Sequence, residues 1–90
     1  MAEIGVAHIQ VENKELADKL YECLQQGGDF TELAMQFSKC PSRKNGGVVP
    51  SFGKGVVQPE FEAAAFTLQI GEVSKPVKTV LGWHIIKRLE

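Results

Sequence analysis

The sequence predicts an α+β fold in which helices pack on a small, mainly antiparallel β-sheet. The prediction depends on a short alternating segment near the amino end, three stretches of helical spacing after it, and a hairpin at the carboxyl end. The chain has 90 residues, 43% hydrophobic and 23% charged, as in an ordinary globular protein. We therefore expect one domain over residues 1–90, with the element order β-α-α-β-α-β-β.

The first strand is predicted at Val6–Val11, which is short, rich in β-branched residues and nearly alternating. Alternation puts one set of side chains on one sheet face (Val6, His8, Gln10) and the other set on the opposite face (Ala7, Ile9, Val11). A first helix follows and ends at Gly27-Gly28. Its apolar stripe includes Cys23, which we expect to be buried.

The second helix is predicted to begin after Asp29, a suitable N-cap, and to end near Ser38. Its buried stripe recurs at helical spacing (Phe30, Leu33, Ala34, Phe37). Residues 38–47 have the composition of a loop. Residues 48–52 suggest a short strand, which Pro50 confines to an edge or a bulge.

Helix three is predicted to begin near Pro59, which suits a first helical turn, and to end at Gly71. Its inward face is formed by Phe61, Ala64, Ala65 and Leu68. A hairpin then joins Val73–Thr79 to Trp83–Leu89 through Leu81-Gly82. In the last strand one set (Trp83, Ile85, Lys87) is expected to face away from the other (His84, Ile86, Arg88).

The charge pattern limits the classes of partner. Ten basic and eleven acidic side chains give a net charge of −1, which argues against nucleic acid. No apolar run could span a membrane, and the amino end shows no signal peptide. Four cations without an acid lie in residues 38–54 (Lys39, Arg43, Lys44, Lys54). They form either a solvated loop or a surface that steers an anionic ligand towards the domain.

The cysteines predict neither a zinc site nor a disulfide. Cys23 and Cys40 stand 17 positions apart, and the chain has no CxxC pair. Two thiols in so small a chain indicate a reducing compartment, so we expect both to be free and the protein to be cytoplasmic.

Three side chains could carry chemistry near neutral pH: His8, His84 and Cys40. If the first and last strands are neighbours, both imidazoles can point to one face and meet. Each histidine alone fits a hydrogen-bonded structural residue better than a catalyst, whereas a pair could hold a polar group in place. Lysines and an arginine around Cys40 would lower the pKa of its thiol, although the spacing alone identifies no function.

The whole chain resembles a parvulin-type peptidyl-prolyl cis/trans isomerase. The matching stretches are AHIQV, FSKCPSRKNGG, FGKGVVQPEFEAAAF, IGEVSKPVKT and GWHIIKRL. Any one of them is weak, but five in the right order are specific. The resemblance implies a parvulin-like (FKBP-like) four-stranded antiparallel sheet surrounded by helices, in the family's minimal single-domain form.

The resemblance also implies a role for each matching position. His8 and His84 match two histidines that sit together in the sheet, and Thr79 matches a threonine hydrogen-bonded to them. Cys40 matches a residue facing the prolyl amide. The implied substrate-binding residues are Ser42, Val49, Phe52, Val57, Gln58 and Phe61.

The chain departs from the family pattern at two places, with Val48-Val49-Pro50 for Asp-Leu-Gly and Val57 for methionine. It also has no arginine cluster at residues 12–15, so we do not expect phosphate-directed specificity.

We expect a monomeric enzyme that isomerises X–Pro bonds in peptides and unfolded segments, without a cofactor, nucleic acid or a membrane. Two alternatives remain open: a peptide-binding or chaperone module that uses the same groove without catalysis, and a Cys-His hydrolase.

Overall fold

The computed structural model describes residues 3–90. Its elements in chain order are β1 (Val6–Val11), α1 (Lys14–Gln25), α2 (Phe30–Phe37), a 3-10 helix (Pro41–Asn45), α3 (Pro59–Thr67), β2 (Val77–Thr79) and β3 (Gly82–Arg88). The strands form an antiparallel sheet in the order β1-β3-β2. The α+β class and the helix order are therefore as predicted. Within residues 3–90, no helix has the length and apolar character needed to cross a bilayer.

Each face of the sheet is covered by a different group of helices. The face of β1 that carries Ile9 packs against α1 and α2 in one apolar cluster, which also contains Ile85 of β3. The opposite face carries Val6 and Ile86 and packs against α3 and the segment around Phe52. The alternation predicted for both strands is thus observed, and the second face is the one that holds the site described below.

The predicted strand over residues 48–52 is replaced by two isolated bridges to the amino-terminal segment, so the sheet has three strands where four were predicted. The bridges join Val48 to Ala7 and Phe52 to Ile4. The bridges lie four residues apart on one segment and three apart on the other, which places one extra residue, a bulge, on the later segment. Pro50 stands inside this bulge, where its missing N–H interrupts no ladder bond.

β2 is shorter than predicted, since it begins at Val77 rather than Val73. The hydroxyl of Ser74 accepts the backbone N–H of Ile86 at 3.0 Å, a bond that a regular ladder would give to a carbonyl. Pro76 follows and has no N–H to donate. Val73 and Lys87 still form an isolated bridge, so the segment follows the sheet edge without continuing the strand.

Two side chains predicted to be buried are exposed. Cys23 lies beside the buried face of α1, which is centred on Ala17 and Leu20. Phe37 is 38% exposed because α2 ends there and the next residue, Ser38, turns inward instead. The Ser38 hydroxyl accepts the backbone N–H of Gln10 at 3.1 Å.

Candidate active site

A cavity of about 460 Å³ opens on the sheet face opposite α1 and α2. This volume is in the range of small-ligand sites. Eight of the ten predicted site residues line it: His8, Cys40, Val49, Phe52, Val57, Gln58, Phe61 and His84. The other two, Thr79 and Ser42, do not line it. Five further lining residues were not predicted: Gln10, Pro50, Ser51, Val56 and Leu81.

The two histidines meet at the back of the cavity. In the β1–β3 register His8 pairs with Ile86 and His84 pairs with Gln10, so the imidazoles are diagonal neighbours on one face. Their Nδ1 atoms are 3.1 Å apart, and the rings stack with 5.3 Å between centroids and 17° between planes. A hydrogen bond between two nitrogens of the same kind requires that one ring carries the proton and donates the bond, while the other ring accepts it.

The direction of this hydrogen bond follows from Thr79. The backbone N–H of Leu81 can only donate, and it donates to Thr79 Oγ1 at 3.1 Å. The hydroxyl proton is then available to His84 Nε2, 2.7 Å away. With the opposite direction this buried proton would have no acceptor among residues 3–90. Neutral His84 therefore carries its proton on Nδ1 and donates it to His8, which leaves the His8 proton on Nε2.

The surroundings keep both rings neutral at pH 7. Burial, together with the smaller effect of the neighbouring His84, lowers the pKa of His8 from its ordinary value of 6.5 to about 4. Burial also lowers the pKa of His84. The site thus presents a polar but uncharged network to whatever occupies the cavity.

Phe61 forms the apolar floor. Pro59 begins α3, and this places Phe61 in the first turn of the helix with its ring directed at the sheet. The ring stands nearly perpendicular to His8 and is also tilted against Phe52, 6.0 Å away. Gln58, which precedes the helix, makes no capping bond with its side chain. Its amide therefore remains available at the cavity rim.

Cys40 stands on the wall formed by the residues before the 3-10 helix. Its side chain is half-buried, and its backbone N–H is held by Ser38 Oγ at 3.3 Å. Within residues 3–90 no hydrogen bond connects its thiol to either imidazole. The Ser42 hydroxyl is buried and makes no hydrogen bond in the described part of the chain. Because Ser42 does not line the cavity, the structure gives it no direct contact with a ligand there.

The unpredicted lining residues differ in how far the sequence could have indicated them. Gln10 was already predicted to share a face with His8, so its presence in the cavity follows from strand alternation. Leu81 and Val56 lie in a turn and a loop, whose positions depend on contacts distant in sequence. Among residues 3–90, no group of three or more His, Cys, Asp or Glu side chains could hold a metal ion.

Comparisons with known proteins agree with this geometry. Residues 6–90 match the PPIC-type PPIase domain, or rotamase, family. The foldase protein PrsA of Halalkalibacterium halodurans is 46% identical over 87 residues, which are 96% of this chain and 26% of that protein. The crystal structure of the peptidylprolyl isomerase PrsA from Bacillus anthracis superposes with a TM-score of 0.95 at 41% identity, over 97% of this chain and 41% of that one.

A relative of similar size is also known. The solution structure of NmPin, the parvulin of Nitrosopumilus maritimus, superposes with a TM-score of 0.87 at 41% identity and covers 100% of this chain and 98% of that one. The fold and the cavity therefore define a peptidyl-prolyl isomerase domain of the parvulin type. The chain belongs to the PPIC-type PPIase family, as the sequence resemblance predicted. It spans about a quarter of the length of the PrsA foldase named above.

Proposed function

We propose that this chain accelerates cis/trans rotation about X–Pro bonds in flexible protein segments by holding the twisted amide without covalent chemistry. The observation that carries the proposal is an apolar cavity floored by Phe61 and backed by the neutral His8–His84 pair. A proline ring requires an apolar floor, and a rotating amide requires a polar wall that does not itself react.

The chemical task explains why such a site needs no cofactor. Amide resonance opposes rotation by a barrier of about 18–20 kcal/mol. Uncatalysed exchange of an X–Pro bond therefore takes tens to hundreds of seconds. At the twisted geometry the carbonyl loses conjugation and the nitrogen becomes pyramidal, but no bond is made or broken. A catalyst has only to bind this geometry more tightly than either planar form.

The apolar floor and the polar wall of the cavity contribute to catalysis in different ways. Phe61, Phe52 and Val57 hold the pyrrolidine ring, so that the preceding carbonyl moves while the ring stays in place. The carbonyl swings past the wall that carries Cys40, where a polar contact stabilises its altered dipole. The hydrogen-bonded chain from Thr79 through His84 to His8 fixes the orientation of the dipoles behind the site before the substrate arrives.

The arrangement does not favour a Cys-His hydrolase. A nucleophilic cysteine needs a base within hydrogen-bond reach. Here His84 is engaged by His8 and Thr79 through its two nitrogens, and His8 uses Nδ1 for the histidine pair.

The proposal is tested by NMR exchange spectroscopy on a proline tetrapeptide with a catalytic amount of protein. We expect exchange peaks between the cis and trans forms at mixing times far shorter than the uncatalysed exchange. Peak shifts without exchange would instead identify a peptide-binding module, the alternative that the Val48-Val49-Pro50 bulge keeps open. Release of cleaved peptide, followed by mass spectrometry, would identify a hydrolase.

We also propose a cytoplasmic location and a monomeric state without nucleic acid as a partner. Two free thiols support the location, and the net charge of −1 supports the last point. Exposed Cys23 makes the location testable, since a membrane-impermeant thiol reagent should label it only after cell lysis. Size-exclusion chromatography, with and without added DNA, tests the monomer and its lack of affinity for nucleic acid.

A further inference from the structure

The Gln10 side chain bridges two elements that border the cavity. Its Nε2 atom donates a hydrogen bond of 3.2 Å to the carbonyl oxygen of Leu81, which lies in the turn between β2 and β3. Gln10 and Leu81 both line the cavity. We infer that Gln10 is a positioning residue, which holds the Leu81 wall in place and thereby sets the direction of the Thr79–His84–His8 hydrogen bonds. The inference rests on the proposed function for its effect on rate.

The turn has little else to hold it. Val80 is 85% exposed and Leu81 is 57% exposed, so packing contributes little to their position. Leu81 is instead fixed through its backbone, with the N–H bonded to Thr79 Oγ1 and the carbonyl bonded to Gln10. Only the second of these bonds connects the turn to a different strand.

Close approach of the turn to β1 makes the bridge possible. Gly82 has φ +129, and a Cβ atom there would lie 2.7 Å from the carbonyl oxygen of Val11. A glycine at this position therefore lets the turn cross the end of β1. The carbonyl of Leu81 is thereby brought within reach of the Gln10 amide, one residue earlier on the strand.

Gln10 also holds the opposite wall, but through its backbone. Its N–H donates to Ser38 Oγ at 3.1 Å, and its carbonyl accepts the N–H of Lys39 at 2.7 Å. Ser38 in turn holds the N–H of Cys40. A substitution at position 10 leaves these backbone bonds intact and removes only the bridge to Leu81, which makes the bridge separable in an experiment.

Loss of the bridge has a defined chemical consequence. If the turn moves, water reaches Thr79 Oγ1 and can accept the hydroxyl proton, whose acceptor among residues 3–90 is His84 Nε2. The hydroxyl oxygen can then accept from His84 Nε2, which moves the His84 proton to Nε2 and reverses the bond between the rings. His8 Nε2 would change from a donor to an acceptor. The bridge itself is solvent-exposed in the free protein, so it adds little to folding stability. Its effect should therefore appear in the position of the turn and in the protons of the two histidines, rather than in the free energy of unfolding.

The experiment compares Gln10→Met, which keeps the side-chain length and removes the donor, with the matched surface change Gln36→Met on α2. We expect Gln10→Met to lower kcat about fivefold, the effect of one ordinary hydrogen bond, with a smaller change in KM. The ¹⁵N shifts of the imidazole nitrogens should show the protonated nitrogen of His84 moving from Nδ1 to Nε2. Gln10→Lys, which restores a donor, should recover most of kcat, and Gln36→Met should match the wild type in both measurements.

Two results would overturn the inference: an unchanged ¹⁵N pattern in Gln10→Met, or a Gln10→Glu variant as active as the wild type. The glutamate has the same shape, but its carboxylate repels the Leu81 carbonyl. The ¹⁵N measurement does not depend on activity. An inactive wild type would therefore contradict the proposed function, while the ¹⁵N pattern would still decide whether Gln10 sets the direction of the hydrogen bonds.

Discussion

Phe61 stands perpendicular to His84, with 5.3 Å between the ring centroids and 88° between the ring planes. It makes the same edge-to-face contact with His8. One benzyl side chain therefore serves as the cavity floor and also as a packing partner for both imidazoles. Removing it would widen the cavity and free the rings that back it.

We therefore expect Phe61→Ala to lower kcat/KM by at least tenfold, and by more than Cys40→Asp does. The aspartate keeps a polar group at the wall, whereas the alanine removes the surface that holds the proline ring. Tetrapeptide turnover by exchange spectroscopy measures both. Phe66→Ala is the matched control, since Phe66 packs on Phe52 at 6.1 Å but does not line the cavity. Greater damage from Cys40→Asp would contradict the positioning account.

The free energy of unfolding should fall as the pH is lowered, over a pH range set by His8. Its pKa is 6.5 unfolded and about 4 folded, so the unfolded chain binds the proton more tightly. The stabilisation is fully present above pH 6.5 and is lost as the pH falls to about 4. Each pK unit is worth about 1.4 kcal/mol, so His8 accounts for about 3 kcal/mol of this loss. Urea unfolding between pH 7 and 4 measures it. In His8→Asn the free energy of unfolding should depend less steeply on pH, and His84 should account for the dependence that remains. An equal slope in both proteins would refute the assignment to His8.

Thr79→Val should destabilise the fold and lower activity. Thr79→Ser keeps the hydroxyl and should have a much smaller effect on both. Valine has nearly the shape of threonine but leaves the Leu81 N–H and His84 Nε2 without their partner. An unsatisfied buried polar group costs about 1–3 kcal/mol. Chemical denaturation and the exchange assay on the three proteins provide the comparison. Equal behaviour of the two variants would show that the hydroxyl is dispensable.

Gly47→Ala should disturb the site more than Gly55→Ala. Both glycines have a positive φ (88° and 86°), so both variants pay about 1–2 kcal/mol for that backbone conformation. A Cβ at Gly47 would also collide with the backbone carbonyl of His8, whereas at Gly55 it would meet nothing within 4 Å. The difference in unfolding free energy isolates the collision. It should be accompanied by changed His8 NMR signals in Gly47→Ala alone.

The cations of residues 38–54 predict a salt-dependent preference for an acidic residue before proline. None of the four lines the cavity, so any attraction acts through solvent and is screened by salt. We expect a Glu-Pro peptide to be isomerised faster than a Leu-Pro peptide at low ionic strength. This difference in rate should disappear at 1 M salt. Equal relative rates at both ionic strengths would leave the cations as a solvated loop.

Strand alternation predicted which way each histidine at the centre of the site faces, because the apolar neighbours of His8 and His84 fix the facing of their strands. That the two imidazoles meet depends on β3 lying beside β1, which alternation left as a condition and the structure shows. Pro50 indicated an edge or a bulge for residues 48–52, but the alternation of so short a segment could not locate the two bridges that flank the bulge. Cys23 was misplaced since it lies at the margin of the α1 stripe, where helical spacing alone does not define the width of the buried face. The bridge from Gln10 to Leu81 depends on where a turn crosses a strand, which no local pattern encodes.

The bulged segment has a consequence for how a client polypeptide can approach. Hydrogen bonds from Val49 and Phe52 already occupy the free side of the chain from Ile4 to Val6, and Gly47 accepts the N–H of His8. Long open strand borders invite foreign chains to extend the sheet, and here that border is closed by the protein's own backbone. At this border of the sheet, an unfolded client therefore finds no free strand edge to pair with, and contact there is left to the side chains that it inserts into the cavity.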